Sequence, residues 1–484
     1  MEEKINIKAN YFYNIFYQIL SLITPLITAP YIARVLGVDA IGQYSFTQSI
    51  VMYFCLISAL GSGTHGQRGI ARLRNDPSQM SVFFYEVVIL RIFTTIFSLL
   101  LFFTYILLFG KKYFALFAIQ SITVIANAFD ISWFYQGLEN FKYTVTRQII
   151  IKLLSITSIL LFVKTKDDLI LYAALYSIPI LIGNLLLWSK VNQYVSKVVV
   201  NKLNPMKHFK EEITLFVPYI ATMLFSYVDK TMIGHFAING NKENGYYEQA
   251  LKFIIIAANV VSAFSTVLIP RMVSYFKMRD NVNIQKYLKQ GIQLIMMVSA
   301  ILFCGMFLVG KNLIPWFYGV EYIKCVDILK VLSFVIIFKG MNALFGGAIL
   351  IPRFQQNKYS TAVWTTAVFN ICFNYLLIPK YGAIGASIIS VMSEVLQFIL
   401  LTFFSRDVIS VRKLISYSYK PLVSAVATII IIDKIVNNFA SNFLNSMLLS
   451  GLCCFVYVLG LLLLKEDMIL KFFTNAKVMI TKLK

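Results

Sequence analysis

Charge is what this sequence has least of. Asp, Glu, Lys and Arg together make up 14% of its 484 residues, where an ordinary soluble domain carries about 25%. No polar stretch is long enough to form the surface of the two or three soluble domains that a chain of this length would normally build. Histidine is scarcer still: His65, His208 and His235 are the only three, and they are scattered without metal spacing. The six cysteines lie in or just before apolar runs, and the adjacent Cys453 and Cys454 lack ligand spacing, so all are expected to be small packing residues. Gly61-Ser62-Gly63-Thr64 and Gly346-Gly347 lack the strand-to-helix context of a phosphate loop and have no Walker lysine, which excludes an ATP motor within the chain. Nor does a small-residue cleavage site follow the first apolar run, which ends in Tyr31-Ile32-Ala33-Arg34, so a cleavable signal is not expected. These absences leave no catalytic residue, cofactor or metal to assign.

What is abundant is apolar surface, with 58% hydrophobic and 15% aromatic residues. About 20 apolar residues cross a bilayer as a helix, and by that measure the sequence predicts fourteen spans: 10–32, 41–62, 82–109, 113–135, 144–163, 168–189, 213–237, 246–269, 289–309, 326–350, 360–378, 383–404, 416–434 and 443–464. The fold class expected is therefore an all-α integral membrane protein. The net charge of +22 comes from 44 basic and 22 acidic residues. Without a soluble core to carry a basic face, it does not indicate nucleic acid. Sorted by side, 28 basic residues fall with the N-terminus and 10 opposite, which predicts both termini in the cytoplasm against the anionic leaflet.

An internal repeat divides the chain. Asn140-Phe141-Lys142-Tyr143-Thr144 follows the fourth span and Asn357-Lys358-Tyr359-Ser360 the tenth, while Gly42-Gln43-Tyr44 opens the second and Gly245-Tyr246-Tyr247 the eighth. Matching elements six spans apart, in the same orientation, imply a parallel repeat about an axis along the membrane normal. The expected domains are an N-terminal six-helix lobe (1–190), a basic cytoplasmic linker (191–212), a second six-helix lobe (213–404) and two further helices with a basic tail (405–484).

Ionisable groups inside spans are costly and tend to face a wet cavity or one another. Asp229 and Lys230 lie well inside the seventh span, Lys339 near the middle of the tenth and Glu394 near the middle of the twelfth; Arg91 lies in the third and Arg34 at the outer end of the first. Arg34, Arg91, Lys230, Lys339 and Glu394 are the candidate cavity residues, the basic ones suited to a phosphate-bearing substrate. Asp229 is the candidate for proton or sodium coupling, although an ion pair with a neighbouring helix explains it almost as well. Glu248 and Lys252, four apart, can pair along one face. Asp130 is expected at an aromatic interfacial belt and Lys152 is expected to snorkel. Pro25 and Pro30 interrupt the first span and Pro218 the seventh, its repeat mate, which marks them as kinks or gates.

Ala29-Pro30-Tyr31-Ile32-Ala33-Arg34-Val35-Leu36-Gly37 with Ile41-Gly42-Gln43-Tyr44-Ser45-Phe46, and Trp133-Phe134-Tyr135-Gln136-Gly137-Leu138-Glu139, resemble signatures of Wzx-type polysaccharide flippases. Asp229-Lys230-Thr231-Met232-Ile233-Gly234 resembles an element of the wider multidrug/oligosaccharidyl-lipid/polysaccharide exporter superfamily. The resemblance spans the whole chain and implies two six-helix lobes forming a V around a cavity in a bacterial inner membrane. It implies alternating-access translocation of an undecaprenyl-diphosphate-linked oligosaccharide for O-antigen, capsule or exopolysaccharide synthesis. Implied partners are that substrate, membrane lipid, a polysaccharide polymerase and glycosyltransferases. Two other readings stay open on the residues: a cation-coupled multidrug exporter, and a non-transporting scaffold for polysaccharide enzymes.

Overall fold

A computed structural model describes residues 7–199, 201 and 203–470, with the side chains of 7–19, 22, 218, 221 and 222 outside the description. The tail beyond residue 470 therefore lies outside the described residues. Within them the chain is helical, with no strand. Fourteen α-helices are described: α1 (Ile7–Ala59), α2 (Ser62–Leu73), α3 (Pro77–Phe109), α4 (Phe114–Ala128), α5 (Ser132–Gly137), α6 (Phe141–Phe162), α7 (Leu169–Leu186), α8 (Phe209–Phe236), α9 (Gly240–Met278), α10 (Asn281–Phe317), α11 (Cys325–Ala343), α12 (Gln356–Phe404), α13 (Val411–Val436) and α14 (Phe443–Leu463).

Helices and spans do not correspond one to one. The helix α1 contains the first two spans and α12 the eleventh and twelfth, each broken only at a glycine: Gly37 (φ 76, ψ 175) and Gly382 (φ 57, ψ −134). Only glycine adopts such angles without strain. At the second break, the Glu243 carboxylate accepts the Ala383 N–H at 3.0 Å and so satisfies a donor that the new helix start would orphan. Among the described residues, eleven helical segments are long and apolar enough to cross a membrane. Counting the two double helices twice and adding α8, which carries the 213–237 run, recovers the fourteen expected.

Elsewhere the helix starts are capped by short polar side chains. Asp76 accepts the Ser78 and Gln79 N–H groups with Pro77 in the first turn, and Asp280, Ser410 and Asn442 cap α10, α13 and α14. After α11 the chain widens into a π-helical turn, Leu344–Leu350. Tyr359 packs on Gly346 there, so closely that a Cβ would lie 2.5 Å from its ring.

Two compact units emerge, residues 1–235 and 236–484, and the repeat is visible inside each. In the first, Tyr44 packs edge-on against Tyr172 of α7 at 4.8 Å between ring centres; in the second, the Tyr247 hydroxyl meets Ser390 of α12 at 3.1 Å. Spans two and six thus meet as spans eight and twelve do. The turns after spans four and ten also match. Glu139 (φ 60) and Phe354 (φ 58) are left-handed, and the next N–H in each donates five residues back, Asn140 to Tyr135 at 2.8 Å and Gln355 to Leu350 at 3.0 Å.

Candidate functional site

A chamber of about 460 Å³, with polar groups set among apolar ones such as Met52, Ile151 and Ile180, lies within the first unit, between α1, α4, α6 and α7. The helices around it are apolar to lipid, with Leu153, Leu154, Ile182 and Leu186 exposed, while their inner positions are not. Arg147 is its central cation. Its guanidinium donates to Asn184 Oδ1 at 2.5 Å and to Ser132 Oγ at 3.3 Å, and stands 4.0 Å from Asp130 Oδ1. Asn184 in turn donates to the Ala126 carbonyl at 2.7 Å, which fixes the direction of its acceptor. Lys152 reaches Ser21 Oγ at 2.8 Å. Thr24, Thr28, Gln148, Tyr172 and Tyr176 complete the polar wall.

Two cations and one carboxylate give the chamber a formal excess of one positive charge. A fork-shaped donor, amides, hydroxyls and phenol rings together suit a ligand bearing anionic oxygens and hydroxyl groups. Asp130, expected at the interface, and Lys152, expected to snorkel, both line this chamber. Arg147, Asn184 and Asn127 were missed as site residues. Arg147 lies near the start of the fifth span, where a basic residue is ordinary, whereas the two asparagines stand in apolar runs, which is a signal in the sequence.

Arg91 is buried, and three of its donors end on protein: the Asn127 carbonyl and Oδ1, both at 2.8 Å, and Ser62 Oγ at 2.9 Å. Asn127 also donates to the Cys55 carbonyl at 2.7 Å. Arg91 thereby ties α3 to the ends of α1, α2 and α4. Arg34 is exposed near the Gly37 break. Pro25 and Pro30 lie inside α1; at 218 the backbone of α8 is helical, and the Pro218 side chain is outside the description.

Asp229 is buried in α8 and Lys230 is half-buried beside it. Neighbours on a helix do not face each other; Lys230 instead lies 5.8 Å from the centre of the Tyr227 ring. The same helix is fastened to α1, where Thr231 Oγ1 meets Ser49 Oγ at 2.8 Å and Tyr53 at 3.1 Å.

In the second unit, Lys339 and Glu394 come together. Lys339 Nζ donates to Glu394 Oε1 at 2.6 Å, and Asn342 donates to Oε2 at 2.7 Å. Glu248 and Lys252 stand 4.0 Å apart on one face of α9. A separate groove of about 660 Å³ between α11, α12 and α13 is almost wholly apolar, lined by Phe334, Phe338, Phe398 and Ile415 together with Arg406. Among the described residues no cluster of His, Cys, Asp and Glu could hold a metal ion.

Comparison with known proteins gives these features a context. Residues 7–276 match the family described as polysaccharide biosynthesis protein. A curated relative, the "Putative O-antigen transporter" of Escherichia coli (strain K12), is 20% identical over 408 residues, which is 84% of this chain and 98% of the relative. Among solved structures, the "Lipid II flippase MurJ, inward closed conformation" aligns with TM-score 0.71 at 16% identity, covering 95% of this chain and 99% of that one. An inward-facing multidrug resistance MATE family transporter aligns with TM-score 0.61 at 14% identity, covering 80% and 95%. At these identities the two structures speak for the fold alone, an all-α bundle of membrane-length helices.

Proposed function

Because the chain belongs to the polysaccharide biosynthesis protein family, we propose that it is a flippase that moves a lipid-linked oligosaccharide, an undecaprenyl-diphosphate-linked repeat unit, across a bacterial inner membrane by alternating access. The family and the O-antigen transporter relative point to transport rather than catalysis. The observation that carries the reading is the chamber around Arg147: a cationic space lined by helices whose outer faces are lipid-compatible. Sugar hydroxyls would exchange water for the amides and phenols, and the diphosphate would meet Arg147 and Lys152. The lobes are assigned as 1–190 and 213–404 joined by the basic 191–212 linker, with both termini cytoplasmic as the 28 to 10 division of basic residues favours. Arg34, Arg91, Lys230, Lys339 and Glu394 remain candidate substrate contacts, Asp229 the candidate for proton or sodium coupling, and Pro25, Pro30 and Pro218 candidate gates.

Complementation of a flippase-deficient strain, with several donor glycans, is the deciding experiment. Restored surface polysaccharide is expected with at least one glycan. Resistance to cationic drugs without any restoration would replace the reading by a cation-coupled exporter.

A further inference from the structure

The end of the first unit opposite the Gly37 break carries a second concave site that the transport reading does not use. After Gly61 the chain forms α2, which turns Ser62, His65, Gly66 and Ile70 inward. Its other face presents Arg68 and Arg72, four residues apart and both exposed, so their guanidinium groups project from successive turns on one side. They line a cavity of about 670 Å³ whose facing wall is Lys207, His208 and Glu211, with Phe83 beneath.

Of the acidic residues near this cavity, Glu86 and Glu139 are held by cations. Glu86 is fully buried and accepts from Lys207 at 2.7 Å, His208 at 2.9 Å and the Asn204 N–H at 2.9 Å. Glu139 pairs with Arg74 at 2.9 Å, whereas Glu211, on the cavity wall, stands 3.2 Å from His65, which burial holds toward its neutral form, and so keeps its negative charge. Arg68 and Arg72 make no hydrogen bond or ion pair among the described residues. The wall that faces them is fixed: His65 Nε2 meets His208 Nδ1 at 3.0 Å and His208 Nε2 meets Glu86, which holds Lys207 at the rim. An ammonium has three donors, and Glu86 takes one of them, so Lys207 can also give a donor to the cavity.

We propose that Arg68, Arg72 and Lys207 form a binding site for a phosphate group, either the headgroup of an anionic lipid or a soluble diphosphate. Two planar forks and a point donor converging on a concave space suit the several oxygens of a phosphate better than the two of a carboxylate. Lys207 offsets Glu86, and the two guanidinium charges outnumber the one carboxylate of Glu211 on the wall, so the cavity keeps a positive excess for an anion. A bound phosphate would brace α2 against the segment that enters α8, away from the Arg147 chamber.

The test uses the purified full-length protein and the double variant Arg68→Gln/Arg72→Gln, both substitutions being at exposed positions. Thermal unfolding is followed in detergent with inorganic pyrophosphate, against chloride of equal ionic strength, and in nanodiscs of phosphatidylglycerol against phosphatidylcholine. Arg74→Gln removes the same kind of charge from a paired arginine outside the cavity. The expected result is stabilisation of the wild type by at least one probe, with the half-saturating concentration raised about tenfold in the double variant and unchanged in Arg74→Gln. Response to phosphatidylglycerol alone identifies a lipid headgroup as the ligand, and response to pyrophosphate identifies a soluble one. The proposal is overturned if wild type and double variant respond alike to both probes, or if Arg74→Gln weakens the response as much as the double variant does.

Discussion

Lys339 Nζ lies 2.6 Å from Glu394 Oε1, and the carboxylate it holds is almost completely buried. The two residues are 55 positions apart on α11 and α12, and the π-helical turn with Tyr359 lies just beyond them. Removing only the cation leaves a carboxylate in low dielectric with Asn342 as its remaining partner. Lys339→Met should therefore cost on the order of 3 kcal/mol. Lys339→Met combined with Glu394→Gln should recover most of that loss, because no uncompensated charge remains. Thermal unfolding of the four proteins of this double-mutant cycle measures the coupling, and additive losses would refute it.

Arg147 and Arg91 should respond differently to the same substitution. Arg147→Gln is expected to reduce surface polysaccharide in the complementation assay by tenfold or more while the protein accumulates normally in the membrane. Arg147→Lys should recover little, since an ammonium cannot reproduce the fork that spans Asn184 and Ser132. Arg91→Lys should instead lower the amount of folded protein, because three bonds joining α3 to α2 and α4 are altered at once. Quantifying membrane-inserted protein beside surface glycan separates the two effects.

The pH dependence of stability is set in part by two groups that precede or follow spans. Glu212, one residue before the run that opens at 213, has a fully buried carboxyl with neither oxygen hydrogen-bonded, and burial pushes it up to about 8, against the opposing pull of Arg91. An acid raised on folding binds its proton more firmly in the native state. Its stabilising contribution is thus full below the ordinary carboxyl range, about 4.3, and is lost as pH rises through about 8. Glu212→Gln should flatten this loss in a series of thermal melts. His65, in α2, is held below its ordinary value by burial and by His208. Its contribution has the opposite sign and is lost as pH falls below the ordinary histidine value, about 6.5. His65→Gln should flatten the acid limb only.

Gly61 has φ +87, and a Cβ there would lie 2.5 Å from the Glu212 carbonyl oxygen. Gly61→Ala combines left-handed strain, about 1–2 kcal/mol on its own, with a clash against backbone that cannot swing aside. A clear fall in melting temperature is expected. Gly63→Ala, where a Cβ meets nothing within 4 Å, should be neutral or slightly stabilising.

Length and hydropathy made the spans legible, because the bilayer fixes how many apolar residues a helix needs. The repeat was legible at Tyr44 and Tyr247, which occupy corresponding seats. At the second matched element the sequence similarity is offset: the left-handed turns pair Glu139 with Phe354, placing Tyr143 opposite Lys358 and not Tyr359. The rotation of each helix about its axis was not legible. A helix that meets lipid on one side and protein on the other is apolar on both, so periodicity does not tell the inner face from the outer. Lys339 and Glu394 could therefore be named singly but not paired. Arg147, Asn184 and Ser132 had nothing in sequence to bring them together across 37 and 15 positions.

The glycine breaks in α1 and α12 bear on any attempt to map which side of the membrane each end faces. A reporter enzyme, glycosylation acceptor or protease site inserted between positions 33 and 40, or between 379 and 383, would fall where two helices are joined through a single glycine, with no connecting loop to receive it. Sidedness at those hairpins is better read from single cysteines labelled in place. Insertions belong instead in segments such as 437–442, where α13 has ended and α14 has not begun.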